Sequence, residues 1–173
     1  DFETAEITIQ TALTGHLVFS TLHTNDAATG ITRLIDIGIE PYLVASSVEA
    51  FIAQRLVRVI CNNCKAEDKE QPAEVLRQIE NDLKKKPQEI KIYKGKGCKT
   101  CNNTGYMGRT AIYEILLVGD EIRNLISQKI SSDVIKRKAI ELGMRTLKYD
   151  GWTKVLEGIT TPAEGLRVTH LEE

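Results

Sequence analysis

The sequence lacks three features that would assign it to a broad class at once. Its longest apolar stretch, Tyr42 to Ala53, is interrupted by Ser46, Ser47 and Glu49 and is shorter than the ~18 residues that a membrane helix requires. It has no charged-then-apolar leader segment. It has no excess of one charge, because 23 basic side chains are matched by 24 acidic ones, for a formal net charge of −1. We therefore predict no membrane span and no general attraction to nucleic acid or anionic lipid.

The remaining composition is that of a folded protein. The chain has 173 residues, of which 42% are hydrophobic and 27% are charged, values that exclude a disordered class. This length accommodates one domain and a small appendage. The first residue is Asp1 rather than Met, so we expect the sequence to be a piece of a longer chain.

The four cysteines are the most informative residues in the composition. Cys61 and Cys64 form one CxxC pair, and Cys98 and Cys101 form a second pair after 33 intervening residues. The pairs suit two disulfides, a redox motif or a metal site. Two CxxC turns complete a tetrahedral zinc shell with sulfurs ~2.3 Å from the ion, whereas redox chemistry needs one pair and a reducing cytosol disfavours structural disulfides. The duplicated spacing therefore favours a structural zinc site without an open coordination position.

The segment between the cysteines has little apolar surface of its own. We expect it to form a lobe that needs a cross-link, and structural zinc supplies about 10–16 kcal/mol of apparent binding energy in small peptides. Residues 61–110 carry eleven basic and seven acidic side chains. Four thiolates and one Zn²⁺ would add a formal charge of −2, so the segment stays only mildly basic. We therefore predict no nucleic-acid partner.

Hydrophobic periodicity predicts an α/β fold. The first part of the chain is expected to hold a helix at about residues 3–14, a buried strand from His16 to Leu22, a helix over 42–54 and a strand over 56–60. Between the strand at 16–22 and the helix over 42–54, Thr24, Asn25 and Asp26 supply capping oxygens for a further helix, whose buried face is Ile31, Leu34 and Ile35. The rest is expected to hold a helix over 72–86, a strand over 109–118, helices over 120–128, 132–142 and 146–157, and a final turn that begins with a capping box from Thr161 to Glu164. We predict domains at residues 1–60, 61–108 and 109–173.

Polar side chains follow the predicted strand at 16–22. Thr21, His23 and Thr24 would lie at its carboxyl end, where open α/β sheets bind ligands, and could meet a phosphate or an attacking water there. A histidine at a strand end also serves as a structural hydrogen-bonding group. Spacing alone leaves both roles open for His23.

Several motifs of the chain resemble one family. GHLVFSTLHTND at residues 15–26, the CxxC pairs, GYMGRTAIYEIL after them, GMRTL at 143–147 and EGIT at 157–160 occur in the order typical of the ATPases that drive type II secretion and type IV pilus assembly. The resemblance covers nearly the whole chain. Pilus retraction ATPases lack the four-cysteine insert as a group, so its presence favours a secretion or assembly motor.

The resemblance implies a fold, an activity and a set of partners. The chain would be the second half of a RecA-like P-loop ATPase core with a four-cysteine zinc-binding insert and a C-terminal helical region. The full-length protein would be a homo-hexamer that binds ATP and Mg²⁺. It would work in the cytoplasm at the inner membrane, with the membrane platform and cytoplasmic components of the secretion or pilus machine.

The resemblance also implies site residues. The 15–26 segment matches the family's His box, which places His23, and secondarily His16, near the nucleotide phosphates, with Thr21 and Thr24 beside them. Arg33 matches an arginine expected near subunit contacts, although it also suits a solvated surface charge. A polarising imidazole near the γ-phosphate would support phosphoryl transfer.

One family motif is missing from this sequence. No GxxxxGK[ST] phosphate-binding loop occurs, and the acidic residues that hold magnesium should lie upstream of Asp1. We therefore expect that the 173 residues alone neither bind ATP tightly nor hydrolyse it. The alternative from another class is a free-standing zinc-ribbon adaptor without catalysis.

Overall fold

The computed structural model describes residues 1–169, which divide into two compact units. The first unit comprises residues 1–53 and 114–146, and the second comprises residues 54–113 and the described residues from 147 to 169. None of the helices within the described residues is long and apolar enough to cross a bilayer.

The chain alternates helices with two small sheets. The helices are α1 (Phe2–Leu13), α2 (Ala27–Asp36), α3 (Pro41–Ser47), α4 (Ala73–Leu83), α5 (Asp120–Ser127), α6 (Ser132–Glu141), α7 (Leu147–Leu156) and α8 (Pro162–Thr169). The strands are β1 (Ala50–Ile60), β2 (Lys65–Glu67), β3 (Tyr93–Gly95) and β4 (Tyr106–Leu117). Within the described residues, β1 pairs with β4, and β2 pairs antiparallel with β3 so that Lys65 lies opposite Gly95.

The core of the first unit lies between α2, α3, α5, α6 and the end of β4. As predicted, α2 buries Ile31 and Leu34, because they fall on one face of the helix, whereas Ile35, predicted on the same face, is only half-buried. α5 is tied to α3 by Arg123, whose guanidinium donates to the carbonyl of Ala45 and lies 3.3 Å from the Glu49 carboxylate. This contact satisfies a carbonyl in the last turn of α3, which the helix itself leaves without a partner.

The core of the second unit includes apolar residues of the cysteine-bounded insert. Ile79 of α4 and Ile92 pack with Trp152 and Val155 of α7 in one buried cluster. The Trp152 indole N–H donates to Asp82 at 2.8 Å, which satisfies the polar atom of this buried ring. The insert therefore shares its core with α7, a contribution that counting apolar residues between the cysteines omits. The predicted domain boundaries at residues 60 and 108 stay predictions.

The strand predicted from His16 to Leu22 is wrong for the described structure. Residues 16–24 form neither helix nor strand, and the side chains of Leu17 and Phe19 are each 84% exposed. A strand requires a neighbour for its backbone N–H and C=O groups, and none of the strands within residues 1–169 pairs with this segment. The segment therefore has the composition of a β-strand but belongs to no sheet among the described residues.

The helix predicted over 42–54 is also wrong in its second half. α3 ends at Ser47, and β1 begins at Ala50. Burial alternates along the start of the strand, with Phe51 and Ala53 buried and Ile52 61% exposed. This period of two is that of a half-buried strand. In the sequence, the change from helical to strand periodicity is concealed because the apolar run is short and contains no turn residue.

The capping box predicted at α8 forms only in part among the described hydrogen bonds. The Thr161 hydroxyl accepts from the Glu164 N–H at 3.3 Å, as an N-cap does. The buried Glu164 carboxylate instead accepts from the Arg58 N–H at 3.0 Å, from the Arg58 guanidinium at 2.7 Å and from Arg167 at 2.9 Å. Burial raises the pKa of Glu164, but the bonds from Arg167 and Arg58 outweigh it and lower the pKa to about 2 from the usual 4.5. Glu164 thus joins α8 to β1.

Replacing Glu164 tests this link. We expect Glu164→Gln to lower the free energy of unfolding at neutral pH by about 2 kcal/mol, the scale of hydrogen bonds to a charged group. Because the folded pKa is depressed, the carboxylate stabilises fully above about pH 4.5 and loses this effect as the pH falls toward 2. In urea unfolding, the difference in the free energy of unfolding between wild type and Glu164→Gln should therefore become smaller as the pH falls from about 4.5 toward 2. Glu157→Gln, at an exposed position of the same unit, is the control, and a gap independent of pH would contradict the assignment.

Candidate functional site

The four cysteine sulfurs form one cluster in the second unit. The Sγ atoms of Cys61 and Cys98 are 3.9 Å apart, those of Cys64 and Cys101 are 3.9 Å apart, and those of Cys98 and Cys101 are 3.7 Å apart. All four Sγ atoms lie within 4.8 Å of one another, and the cysteines are free thiols. Sulfurs ~2.3 Å from a central ion would be ~3.8 Å apart in a regular tetrahedron, against ~2.05 Å in a disulfide. The spacing therefore fits four metal ligands better than two disulfides.

Two tight turns bring the cysteine pairs together. The Cys61 N–H donates to the Gly105 carbonyl at 2.9 Å, and the Lys96 N–H donates to the Cys64 carbonyl at 3.0 Å. Gly105 has a φ of +78°, and a Cβ on Gly95 would overlap the Gly105 carbonyl oxygen. Glycine is thus required at Gly105 for the backbone conformation and at Gly95 for the close approach of two backbone segments.

Backbone N–H groups point at the sulfur of Cys101. Those of Cys98 and Gly105 donate to it at 3.2 and 3.3 Å. Burial raises the pKa of Cys101, but these backbone bonds outweigh it and lower the pKa to about 6. Burial also raises the pKa of Cys64, here to about 11. The backbone N–H of Cys101 lowers the pKa of Cys98 as well. The second pair thus favours the thiolate, the form that binds metal, even before an ion contributes its own charge.

A second candidate site lies in the first unit, at the start of α2. An open cavity of about 290 Å³ is lined by one imidazole, one guanidinium, several hydroxyls, an amide and a carboxylate: His23, Arg33, Thr24, Thr29, Thr32, Asn25 and Asp36. His23 and Arg33 are both exposed. Imidazole, hydroxyl and guanidinium groups can all donate hydrogen bonds, so this surface is suited to anionic oxygens.

The cavity gathers three of the five predicted residues of the His box region. His23, Thr24 and Arg33 line it, whereas Thr21 and His16 are not among its lining residues. The His16 Nδ1 atom is 3.0 Å from the Thr14 hydroxyl, just after α1.

Sequence reasoning predicted a cap within residues 24–26 but missed two other groups that hold the start of α2, Lys136 and Glu114. Asp26 accepts from the Thr29 N–H at 2.8 Å, Lys136 of α6 donates to Asp26 at 2.7 Å, and Glu114 of β4 accepts from the Ala27 N–H at 3.0 Å. Burial raises the pKa of Asp26, but the bonds from Lys136 and Thr29 outweigh it, so the pKa is lowered. The available signal was Glu114 itself, a charged residue at an inward position of an otherwise apolar strand pattern.

Solved structures define the class of fold. Over 97% of its length, the chain resembles the pilus retraction motor PilT with bound ADP, with a TM-score of 0.61, 23% sequence identity and 36% of that chain covered. It resembles the ATPase DotB of Legionella pneumophila with a TM-score of 0.60 and 18% identity, over 98% of this chain and 36% of the other. The chain thus has the fold of about a third of each of these two ATPases.

Sequence comparison identifies the family. A family model described as "Type II/IV secretion system protein" matches residues 1–169, so the chain belongs to that family and the resemblance noted in the sequence is confirmed. The chain is 48% identical over 172 residues to the type IV pilus assembly ATPase PilB of Thermus thermophilus, covering 98% of this chain and 19% of the relative. It is 45% identical over 172 residues to the type II secretion system ATPase E of Vibrio cholerae, covering 98% of this chain and 33% of the relative. The chain therefore spans a fifth to a third of the length of these relatives.

Substitution of Gly95 tests the close approach in the cysteine turns. We expect Gly95→Ala to separate the Gly95 and Gly105 backbones, and so to speed amide hydrogen exchange at residues 95–105 by about ten-fold or more, equivalent to about 1.4 kcal/mol of lost local stability. Gly119→Ala is the matched control, because a Cβ there has no heavy atom within 4 Å among the described residues. Equal exchange rates in the two variants would contradict the steric account.

Proposed function

We propose that this chain supplies the C-terminal part of a hexameric ATPase that powers type II protein secretion or type IV pilus assembly. The observation that carries the proposal is the family match from residue 1 to residue 169, with 45–48% identity to a secretion ATPase and a pilus assembly ATPase. A free-standing zinc-ribbon adaptor is not favoured, because the similarity extends through both units and is not confined to the cysteine turns.

We propose the His23 cavity as the part of this chain that faces the nucleotide. His23 would donate to a phosphate oxygen or orient the attacking water, and Thr24 would add a hydroxyl donor. Arg33 would stabilise negative charge from the same cavity or from a subunit contact, while Thr21 and His16 would assist from the preceding segment. ATP with Mg²⁺ supplies the phosphoryl group and its charge-neutralising cation when bound to the full-length protein.

The rest of that protein has to supply what this sequence lacks. The chain has no phosphate-binding loop, so we propose that the main phosphate contacts and the magnesium-binding carboxylates belong to the upstream region. The 173 residues alone are then inactive. The side chains of Leu17 and Phe19, which precede His23 in the sequence, are exposed. We expect other parts of the full-length ATPase to cover this apolar surface.

We propose that Cys61, Cys64, Cys98 and Cys101 hold a structural Zn²⁺. The support is the donor set of four thiols and the sulfur separations of 3.7 to 3.9 Å, close to the edge of a tetrahedral zinc–thiolate site. The ion would cross-link the two CxxC turns, and all four positions of its shell would be occupied by protein.

The proposed partners and location come from the same relatives. We propose a homo-hexamer, peripheral to the cytoplasmic side of the inner membrane, in contact with the membrane platform and cytoplasmic components of the machine. The support is the description of the relatives as ATPases of type II secretion and type IV pilus assembly. We expect no nucleic-acid partner, because the cysteine-bounded segment would be only mildly basic once four thiolates and one Zn²⁺ are counted with its side chains.

Replacing one cysteine tests the zinc proposal. Cys98→Ser should lose the bound metal and raise hydrogen exchange in both CxxC turns, because a three-thiolate site binds zinc less tightly. The residues of the cluster around Trp152 should stay protected from hydrogen exchange, because Ile79 and Ile92 still pack against Trp152. Elemental analysis and hydrogen exchange provide the two readouts, and Lys99→Ala, at an exposed position in the same turn, is the control. Equal metal content in the two variants would contradict the assignment.

Replacing the histidine tests the nucleotide-facing role. In the full-length ATPase, His23→Ala should lower kcat for ATP hydrolysis by about 100-fold, the lower range for loss of a positioned proton-transfer group. Ring assembly, measured by light scattering, should not change. Gln10→Ala on the exposed side of α1 controls for surface substitution. If His23→Ala hydrolyses ATP at the wild-type rate, the proposed catalytic role is wrong and His23 has only a structural one.

A further inference from the structure

Glu114 is a buried carboxylate to which the proposed function assigns no role. Its side chain is fully buried, at an inward position of β4 between Ile112 and Leu116, which are both buried as well. Burying a carboxylate costs free energy that an apolar side chain would not, unless hydrogen bonds and opposite charges compensate. Glu114 breaks the apolar pattern of the strand, so its contacts identify what the carboxylate achieves there.

One contact of Glu114 is with the first residue of α2. Its Oε1 atom accepts from the Ala27 N–H at 3.0 Å, across 87 residues of sequence. The Ala27 N–H belongs to the first turn of the helix, whose N–H groups have no partner within the helix itself. A carboxylate there is further favoured by the positive end of the helix dipole.

Two further groups fix the same end of α2. Asp26 accepts from the Thr29 N–H, and Lys136 of α6 donates to Asp26 at 2.7 Å. Asp26 and Lys136 are both mostly buried, so this ion pair is more restrained than a surface pair. The start of α2 is therefore anchored from β4 by Glu114 and from α6 by Lys136.

This anchored point is where the chain leaves the His box segment. Residues 16–24 have no regular secondary structure, and His23 and Thr24 precede Asp26 by three and two residues. Other lining residues of the cavity, Thr29, Thr32 and Arg33, belong to α2. The distance between His23 and Arg33 thus depends on how the start of α2 is held.

We propose that Glu114 is a positioning residue for the His23 cavity. By holding the Ala27 N–H, it fixes the first turn of α2 and so the distance between His23 and Thr24 on one side and Arg33 on the other. The proposal rests on the nucleotide-facing role of that cavity. A small displacement of positioned groups is enough to lower the rate of a reaction without preventing binding.

The test compares variants of the full-length ATPase. Glu114→Leu introduces an apolar side chain of similar size and so removes the acceptor. We expect kcat to fall about ten-fold or more, with KM for ATP changed less than about two-fold. Glu114→Gln retains an acceptor oxygen and should recover most of the turnover. Hydrogen exchange at residues 23–29 should quicken in Glu114→Leu and stay near the wild-type rate in Glu114→Gln.

Leu116→Ala is the matched control for general destabilisation, because Leu116 is a fully buried neighbour on the same face of β4. Its turnover per folded hexamer should equal that of wild type. Equal losses of kcat in Leu116→Ala and Glu114→Leu, or no loss in Glu114→Leu, would overturn the positioning role while leaving the His23 proposal intact. Wild-type turnover by His23→Ala would overturn the His23 proposal and the positioning role with it.

Discussion

The meeting of four cysteine sulfur atoms is the constraint on which the second unit depends. Cysteines from two turns, 33 residues apart, must meet within 4.8 Å, which requires the backbones of Gly95 and Gly105 to approach more closely than side chains allow. The same approach joins the end of β1 to the start of β4 through the Cys61 N–H and the Gly105 carbonyl. The cluster around Trp152 adds apolar contacts between α4 and α7, so the proposed metal and hydrophobic burial would stabilise different parts of this unit.

The first unit depends on a smaller polar constraint. Burying Asp26 and Glu114 is costly, and both carboxylates accept hydrogen bonds at the first turn of α2. Such contacts hold a helix end more specifically than apolar packing, because they fix direction as well as distance. The irregular segment before the helix carries His23, and the helix carries Arg33, so the polar anchors lie where the two parts of the candidate site meet.

Much of the local structure could be predicted from the sequence, because it depends on local rules. The spacing of Cys61, Cys64, Cys98 and Cys101 identified the cluster, and periodicity identified helices such as α2 and α4. The strand predicted at 16–22 failed because β propensity does not supply a pairing partner. The helix predicted through residue 54 failed because a short apolar run conceals the change of period at Ala50. Glu114, Lys136 and Trp152 act through partners 70 or more residues away, which neither spacing nor propensity can reveal.

The central claim is that one metal ion joins the two CxxC turns, and X-ray absorption at the zinc K edge of the purified chain tests it most directly. The account predicts one zinc per chain with four sulfur neighbours at about 2.3 Å and no nitrogen or oxygen ligand. A chain without metal in which the four cysteines form two disulfides, with sulfurs ~2.05 Å apart, would contradict it. A shell that contains fewer than four sulfurs would contradict it as well.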